Sequence, residues 1–583
     1  MNSEKRSDSV TKGKGIPSFL IPIIFILMVA IGTATLLLIG GNTAPGGSGS
    51  NGANTGNNKP EVCDHVFGEW EVVSEPTCTK RGEKRRECTI CNNEYETEEI
   101  KAIGHDRVKY DGQEASCYSI GWEPYEVCSV CGASSYEVIY PTHEIENDVC
   151  VLCNRRVVMD LEDLLFISMG ESNLRKSYVL GQDIDLGGME WTPIGRNDSV
   201  FYGEFDGAGF TISNFKIVST IYLNNDYCAG FFSYNSGTIK NLYLSDFDIS
   251  ISESREDTIR VGAVASRNSG TIDNCHVSTK SIQVSSKCQY TGGIVGSNNK
   301  NAKITNCSVD AVISSSAYVN GGFTYLGGIC GLNTGALVSD CISNCKTVNS
   351  STYGYTYVGG LIGKNQNSAT VTRSYSDSIV NASVNGRGNT GFAGGLVGYS
   401  ENSTITACYA RGSVRSRVGS SNTSSGSSST MYTRAGGLVG CMTKGSVTQC
   451  YATGDVEAES YNFWGGPVSA GGLIGCVENA TVKNSYATGN ISVSGMYDYW
   501  NYAGGVVAEN SSVNRNQLYC LDTQTFTVNN NGPVVDTPTN SYGLKVSAAD
   551  LLSASYQRDN IGFSEEYWIL SDSEHPTLRS YNQ

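Results

Sequence analysis

"AGGLVGCMTKGSVTQCYATGDV" (residues 435–456) returns 35 positions later as "AGGLIGCVENATVKNSYATGNI" (residues 470–491). Three glycines stand within six residues each time. Aligned on that phrase, the chain holds nine copies, whose first glycines are Gly230, Gly262, Gly292, Gly327, Gly359, Gly394, Gly436, Gly471 and Gly504. Their intervals run from 30 to 42 residues. A recurrence of that period marks units that cannot bury their apolar face alone, as in a solenoid or a propeller.

The columns choose between these. Two positions after each leading glycine stands an apolar residue: Phe232, Val264, Ile294, Ile329, Leu361, Leu396, Leu438, Leu473 or Val506. About ten residues on comes a β-branched column, Ile239, Ile272, Ile304, Val338, Val371, Ile405, Val447 and Val482. Three further stand Leu242, Cys275, Cys307, Cys341, Ser374, Cys408, Cys450 and Ser485. Side chains three apart cannot share one face of a straight strand, so the chain bends between these columns. Asn241, Asn274, Asn306 and Asn484 occupy the bend, and Asn tolerates the left-handed conformation of a corner. Each unit reads as one turn of a parallel β-helix. The expected fold is all-β, about nine stacked turns and roughly 45 Å long. The glycines admit a sharp turn or a neighbouring backbone. A phosphate-binding loop would need a Lys and a following helix, and neither follows. In-register β-carbons lie about 4.8 Å apart, farther than a disulfide prefers, so the cysteine column reads as free, buried thiols.

The ends need covers. "MDLEDLLFIS" (residues 159–168) predicts an N-terminal capping helix with Asp160 as its N-cap. "SAADLLSASY" (residues 547–556), followed by a strand, predicts a closing cap.

Upstream the composition changes. Residues 16–39 carry no charge, follow Lys5, Arg6, Lys12 and Lys14, and are long enough for a transmembrane signal-anchor. This predicts a cytoplasmic stub (1–15), the membrane span (16–39), a flexible Gly/Asn/Ser linker (40–60), a Cys/His-rich module (61–156) and the β-helix with its caps (157–580). The bulk of the chain is then extracellular. A net charge of −16 argues against a nucleic-acid partner.

The module carries near-repeated spacings: Cys78, then Cys88-x2-Cys91, then His105; and Cys117, then Cys128-x2-Cys131, then His143. Cys63 and His65 remain at one end, Cys150 and Cys153 at the other. Three Cys-x2-Cys knuckles with recurring histidines suit closed structural zinc sites. Disulfides are the alternative in an extracellular chain. No HExxH pattern indicates a catalytic zinc. "EPTCTKRGEKRRECTICNNEYETEEIKAIGH" resembles a small module of Gram-positive cell-surface proteins, which brings no known activity.

"YVLGQDIDLGGMEWTPIG", "FYGEFDGAGFTISNFKI" and the nine glycine phrases resemble the GLUG-repeat surface proteins of bacteria and some archaea. That resemblance implies a parallel β-helix on secreted or cell-surface proteins, often adhesins. It also implies company with metallopeptidase domains in streptococcal immunoglobulin A peptidases. Asp183, Asp185 and Asp206 form a compact acidic group that turn duty explains, so no catalytic residue is assigned. The loops before the glycine pairs carry Tyr357, Tyr432, Trp464, Trp500 and Tyr502, whose rings suit a glycan or protein ligand. The leading expectation is a membrane-anchored, non-enzymatic, adhesin-like binding protein. A β-helix polysaccharide lyase or hydrolase is the alternative, and a scaffold for a separate surface peptidase the third reading.

Overall fold

A computed structural model describes residues 65–579, apart from 91–93, 118–119, 141, 196–198, 224–225, 254–256, 318–320, 386–388, 420–431, 462–465, 496–500, 512–513 and 530–542. The expected membrane segment and linker lie outside the described residues. Among those described, no helix is long and apolar enough to cross a membrane. The chain divides into two compact units, Met1–Tyr140 and Pro141–Gln583.

The second unit is a parallel β-solenoid of about nine turns. One turn consists of strands Tyr355–Gly359, Ile362–Gln366, Thr370–Thr372, Tyr375–Ser376 and Ile379–Val384. Each pairs in register with its counterpart one repeat later: Gly359 with Gly394, Ile362 with Val397, Val371 with Ile405, Tyr375 with Tyr409. The leucine column stacks through the backbone. Leu361 N–H donates to Leu396 O (2.9 Å), Leu396 to Leu438 (2.9 Å) and Leu438 to Leu473 (2.8 Å). All four side chains are fully buried in one continuous apolar core.

Close approach explains the glycines. A Cβ on Gly436 would lie 2.0 Å from Val439 O, and one on Gly437 would lie 2.0 Å from Gly472 O. The corner column is left-handed as its asparagines suggest, with φ of 51°, 50°, 54° and 53° at Asn241, Asn274, Asn306 and Asn484. Asp340, Arg373, Ala407, Gln449 and Gln517 adopt that conformation too, so stacking imposes it even on residues that do not favour it.

The thiol column is buried, and each group bonds locally. Cys307, Cys341, Cys408 and Cys450 donate S–H to the carbonyl two residues back at 3.0–3.2 Å, while Ser374 and Ser485 donate O–H to the same place at 2.8 Å. That shared bond is why Cys and Ser alternate there. A second ladder, of buried amides, was not read from the sequence. Asn235, Asn268, Asn298 and Asn333 each donate Nδ2 to the Oδ1 of the next member, the last acceptor being Asn365, at 2.8–2.9 Å.

At the first end, α1 (Leu161–Ile167) is capped by Asp160, which accepts from Glu162 N and Asp163 N, and it buries Leu164 and Ile167 in the core. The C-terminal segment departs from the expected cap. Its short helix α2 (Ala548–Leu551) leads to a hairpin, Trp568–Ile569 with Thr577–Leu578, lying along the flank of the rod. A stack of tyrosines, Tyr375, Tyr409, Tyr451 and Tyr486, with ring centroids 4.5–5.1 Å apart, supplies the apolar surface that this segment covers.

The first unit is a three-stranded antiparallel sheet (Glu71–Ser74, Gly82–Glu87, Tyr95–Ile100) with two small hairpins. Its buried apolar side chains among the described residues are Cys78, Cys88, Cys117 and Cys128, whereas Val72, Val73, Ile90 and Tyr95 are exposed. Such a unit has too little core to hold itself by burial.

Candidate metal centre

In the first unit Cys78, His105, Cys128 and Cys131 place their ligand atoms within 4.8 Å of one another. Cys78 Sγ lies 3.8 Å from Cys128 Sγ, and Cys131 Sγ lies 3.3 Å from His105 Nδ1. A tetrahedral zinc ion with usual bond lengths holds sulfurs about 3.8 Å apart and sulfur from nitrogen about 3.6 Å. The spacing is far too long for a disulfide between Cys78 and Cys128. The donor set is Cys3His, the kind that suits a closed structural site.

The sequence spacing had grouped Cys78 and His105 with Cys88 and Cys91. The structure joins them to the following knuckle instead. Arg107, two residues after the histidine, pairs antiparallel with Cys128, and Ser129 N–H donates to Asp106 O at 2.8 Å. That hairpin carries His105 onto Cys128 and Cys131. The knuckle closes through Cys128 N–H to Ala133 O (2.9 Å) and Gly132 N–H to Cys128 O (2.9 Å). Gly132 takes φ of +69°, which a glycine adopts without strain.

The second unit repeats this arrangement. His143, Cys150 and Cys153 put their ligand atoms within 4.8 Å, with Cys153 Sγ 3.7 Å from His143 Nδ1. Ile145 pairs with Cys150, Val151 N–H donates to Glu144 O (2.9 Å), and Cys150 N–H to Arg155 O (2.9 Å). Val149 then pairs with Arg156 at the first strand of the solenoid, so this knuckle is built onto the rod. Cys117 precedes His143 by 26 residues, as Cys78 precedes His105 by 27, and is buried in the first unit.

Electrostatics favours metal binding. Burial raises the Cys128 thiol, yet the N–H groups of Cys131 and Val130 and the His105 ring outweigh it and bring the pKa down to about 6. Cys150 reaches about 6 in the same way, through Cys153 N–H, His143 and Leu152 N–H. Cys78 is pushed up to about 12 by burial and by the neighbouring thiols. A cation removes that mutual opposition, because coordinated thiols are held as thiolates. Of the remaining sequence candidates, His65 stacks on Phe67 (6.1 Å) and Cys88 is buried, while Cys63 and Cys91 lie outside the described residues.

Along the rod runs an outer column of rings and cations, one per turn. Tyr290, Tyr325, Tyr357 and Phe392 occupy one register position and stack with centroids 5.1–5.2 Å apart. Arg434 follows, 5.3 Å over Phe392 and 4.6 Å over Tyr432, and pairs with Glu509 at 3.0 Å. Tyr357 thus sits in a strand and largely within this stack, and Tyr502 is in the strand Asn501–Gly504. Trp464 and Trp500 lie outside the described residues.

A shallow groove of about 340 Å³ crosses the late turns past Asn381, Arg415, Asp455, Glu457, Asn490 and Thr525. Its charges are engaged with one another. Arg415 pairs with Glu457 and Glu459 at 3.0 Å, and Asp455 accepts Asn490 N–H at 2.8 Å. Asp206, from the acidic group of the early turns, is buried and bonded to Arg155, Ala208 N and Asn241.

Among known proteins, the GLUG motif matches at residues 393–415, 431–457 and 466–492. A solved structure titled IgA1 protease aligns over 83% of this chain and 32% of its own, at 12% identity and a TM-score of 0.31. The chain thus spans about a third of that structure's length. No match was found among curated proteins. The chain therefore carries GLUG motifs, laid down as successive turns of a parallel β-solenoid.

Proposed function

We propose that the protein is a non-enzymatic, adhesin-like surface protein, anchored through residues 16–39, that presents the solenoid to an extracellular glycan or protein. The observation that carries this reading is the half-buried column of Tyr290, Tyr325 and Tyr357, repeated once per turn on a rigid stack. A periodic row of rings offers contact area at little entropic cost, which suits an extended ligand. The cysteine-rich hairpins are structural zinc sites that hold their own knuckles folded. The module supplies little apolar core of its own, and its thiol and imidazole spacing fits that ion.

A glycan and host-protein binding screen on the purified chain tests this. Binding that survives Asp455→Asn but weakens at least tenfold in Tyr432→Ala and Tyr502→Ala supports it. No binding to any arrayed ligand would refute it.

The lyase or hydrolase reading has one observation in its favour, the groove holding Arg415, Asp455 and Glu457 on adjacent turns. Against it, Arg415 is paired with Glu457 and Glu459, and Asp455 accepts the Asn490 N–H. Turnover of an acidic polysaccharide that vanishes in Asp455→Asn would establish that reading in place of the first.

A further inference from the structure

We propose that Arg260 and Arg267 form the carboxylate-binding end of the ring column, and that the ligand is a glycan with one carboxylated sugar at that end. The proposal rests on the reading of the column as a glycan-binding surface and names the ligand's chemistry.

The sharp turn after Gly262 brings the two arginines together. Arg260 lies on the strand Thr258–Gly262 and Arg267 on the next, Ala265–Asn268. Arg260 occupies the column itself, in register with Tyr290 one turn later, and Tyr290 is followed by Tyr325. Both guanidiniums converge on one carboxylate, Asp226 of the preceding turn. Arg267 Nη1 lies 3.2 Å from Asp226 Oδ2, and Arg260 Nη1 pairs with the same oxygen. Tyr290 covers a face of Arg260 at 5.0 Å, and Tyr234 a face of Arg267 at 4.9 Å.

Two guanidiniums against one carboxylate leave one positive charge in excess. Only 15% and 16% of the two side chains is exposed. Among the described residues, the buried Nε and Nη1 atoms of both have no hydrogen-bond acceptor. The rings offset part of the charge, but a ring face accepts nothing from N–H groups directed along the guanidinium plane. A cation desolvated to this degree is costly unless it is paired. Arg434 and Lys364, which also lie against rings of the column, each have a carboxylate of their own. Arg434 holds both oxygens of Glu509 at 3.0 Å, and Lys364 lies 3.6 Å from Glu401. The early arginine pair lacks that balance, and a carboxylate is the anion whose two oxygens match a guanidinium fork.

The sugar follows from what stands beside the pair. One turn away, about 4.8 Å along the rod, Tyr290, Phe323 and Tyr325 make a half-buried platform with centroids 5.2 Å apart. A sugar lying across this platform carries its carboxylate to the exposed remainder of the arginines. One excess charge fits one such group. A long polyanion would meet the repulsion of a net charge of −16.

Binding of the full-length chain is measured by titration calorimetry with oligosaccharides ending in glucuronic, galacturonic or N-acetylneuraminic acid, each beside its carboxyl-reduced counterpart. At least one acid is expected to bind about tenfold tighter than its reduced form, the usual worth of a charge-assisted hydrogen bond. Arg260→Gln and Arg267→Gln should each abolish that preference without weakening the reduced form, a split that a merely structural role would not produce. Tyr290→Leu should weaken both forms alike. Thermal unfolding checks that each variant keeps the fold of the parent. Equal affinity of the parent for acid and reduced forms would overturn the proposal and leave the glycan reading standing. A preference that survives in both arginine variants would overturn it as well. No binding of any saccharide would remove the glycan reading and the proposal together.

Discussion

At the scale of single residues, the account turns on what each column must avoid or share. Gly437→Ala puts a Cβ about 2.0 Å from the carbonyl of the next turn and should destabilise the solenoid by about 3 kcal/mol, the upper range for overpacking. Gly170→Ala, where a Cβ meets nothing within 4 Å, should leave the thermal midpoint unchanged. Equal midpoints for the two variants in thermal unfolding would contradict the close-approach explanation. In the thiol column, Cys450→Ser should be nearly neutral, within about 1 kcal/mol, because Ser374 and Ser485 already make the same bond to the carbonyl two residues back. Much of this was legible in the sequence: glycine, apolar, β-branched and Cys/Ser columns all announce stacking. The buried asparagine ladder was not, because an isolated Asn five or six residues after the leading glycine looks like a turn residue. Only its partner one repeat away reveals why it is inside.

At the scale of elements, the knuckles and the C-terminal segment show where local sequence runs out. Cys-x2-Cys and a histidine can be seen in the chain, but which histidine serves which knuckle is decided by strand pairing, and spacing alone chose the wrong partner for Cys78. The C-terminal hairpin was expected at the end of the rod. It lies on the flank because the tyrosine stack is an apolar strip wide enough to bury Trp568 and Phe563. That contact is sensitive to acid. His575 bonds Tyr486 Oη at 2.8 Å, and burial, aided by Arg411, holds its pKa down at about 4. Burial holds His276 at about 4 as well. The unfolded chain takes up these protons near pH 6.5 and the folded one only near 4, so stability present above pH 6.5 declines between those values. Up to about 3 kcal/mol is at stake for His575. Hydrogen exchange should therefore show residues 544–579 losing protection first as pH falls from 6.5 to 4.5, and His575→Gln should flatten that dependence. Uniform protection across that range would contradict it.

At the scale of the whole molecule, two units are held by different physics. The solenoid has a continuous apolar core from Val158 to Cys520, whereas the described interior of the first unit is cysteine. Chelation of the purified chain should therefore collapse the fold of residues 65–140 while the main thermal transition of the solenoid moves little, as read by circular dichroism and exchange. Simultaneous loss of both would contradict that division.

The central claim is that each GLUG phrase lies directly on the one before it. Pulsed dipolar spectroscopy, with spin labels on ketone-bearing residues that spare the native thiols, tests it at one outward register column. Lys483 is three turns from Thr372 and seven from Lys240 in that column. Stacked turns predict separations of about 14 Å and about 34 Å, rising linearly with turn number. Separations that fail to grow with the number of intervening repeats would contradict it.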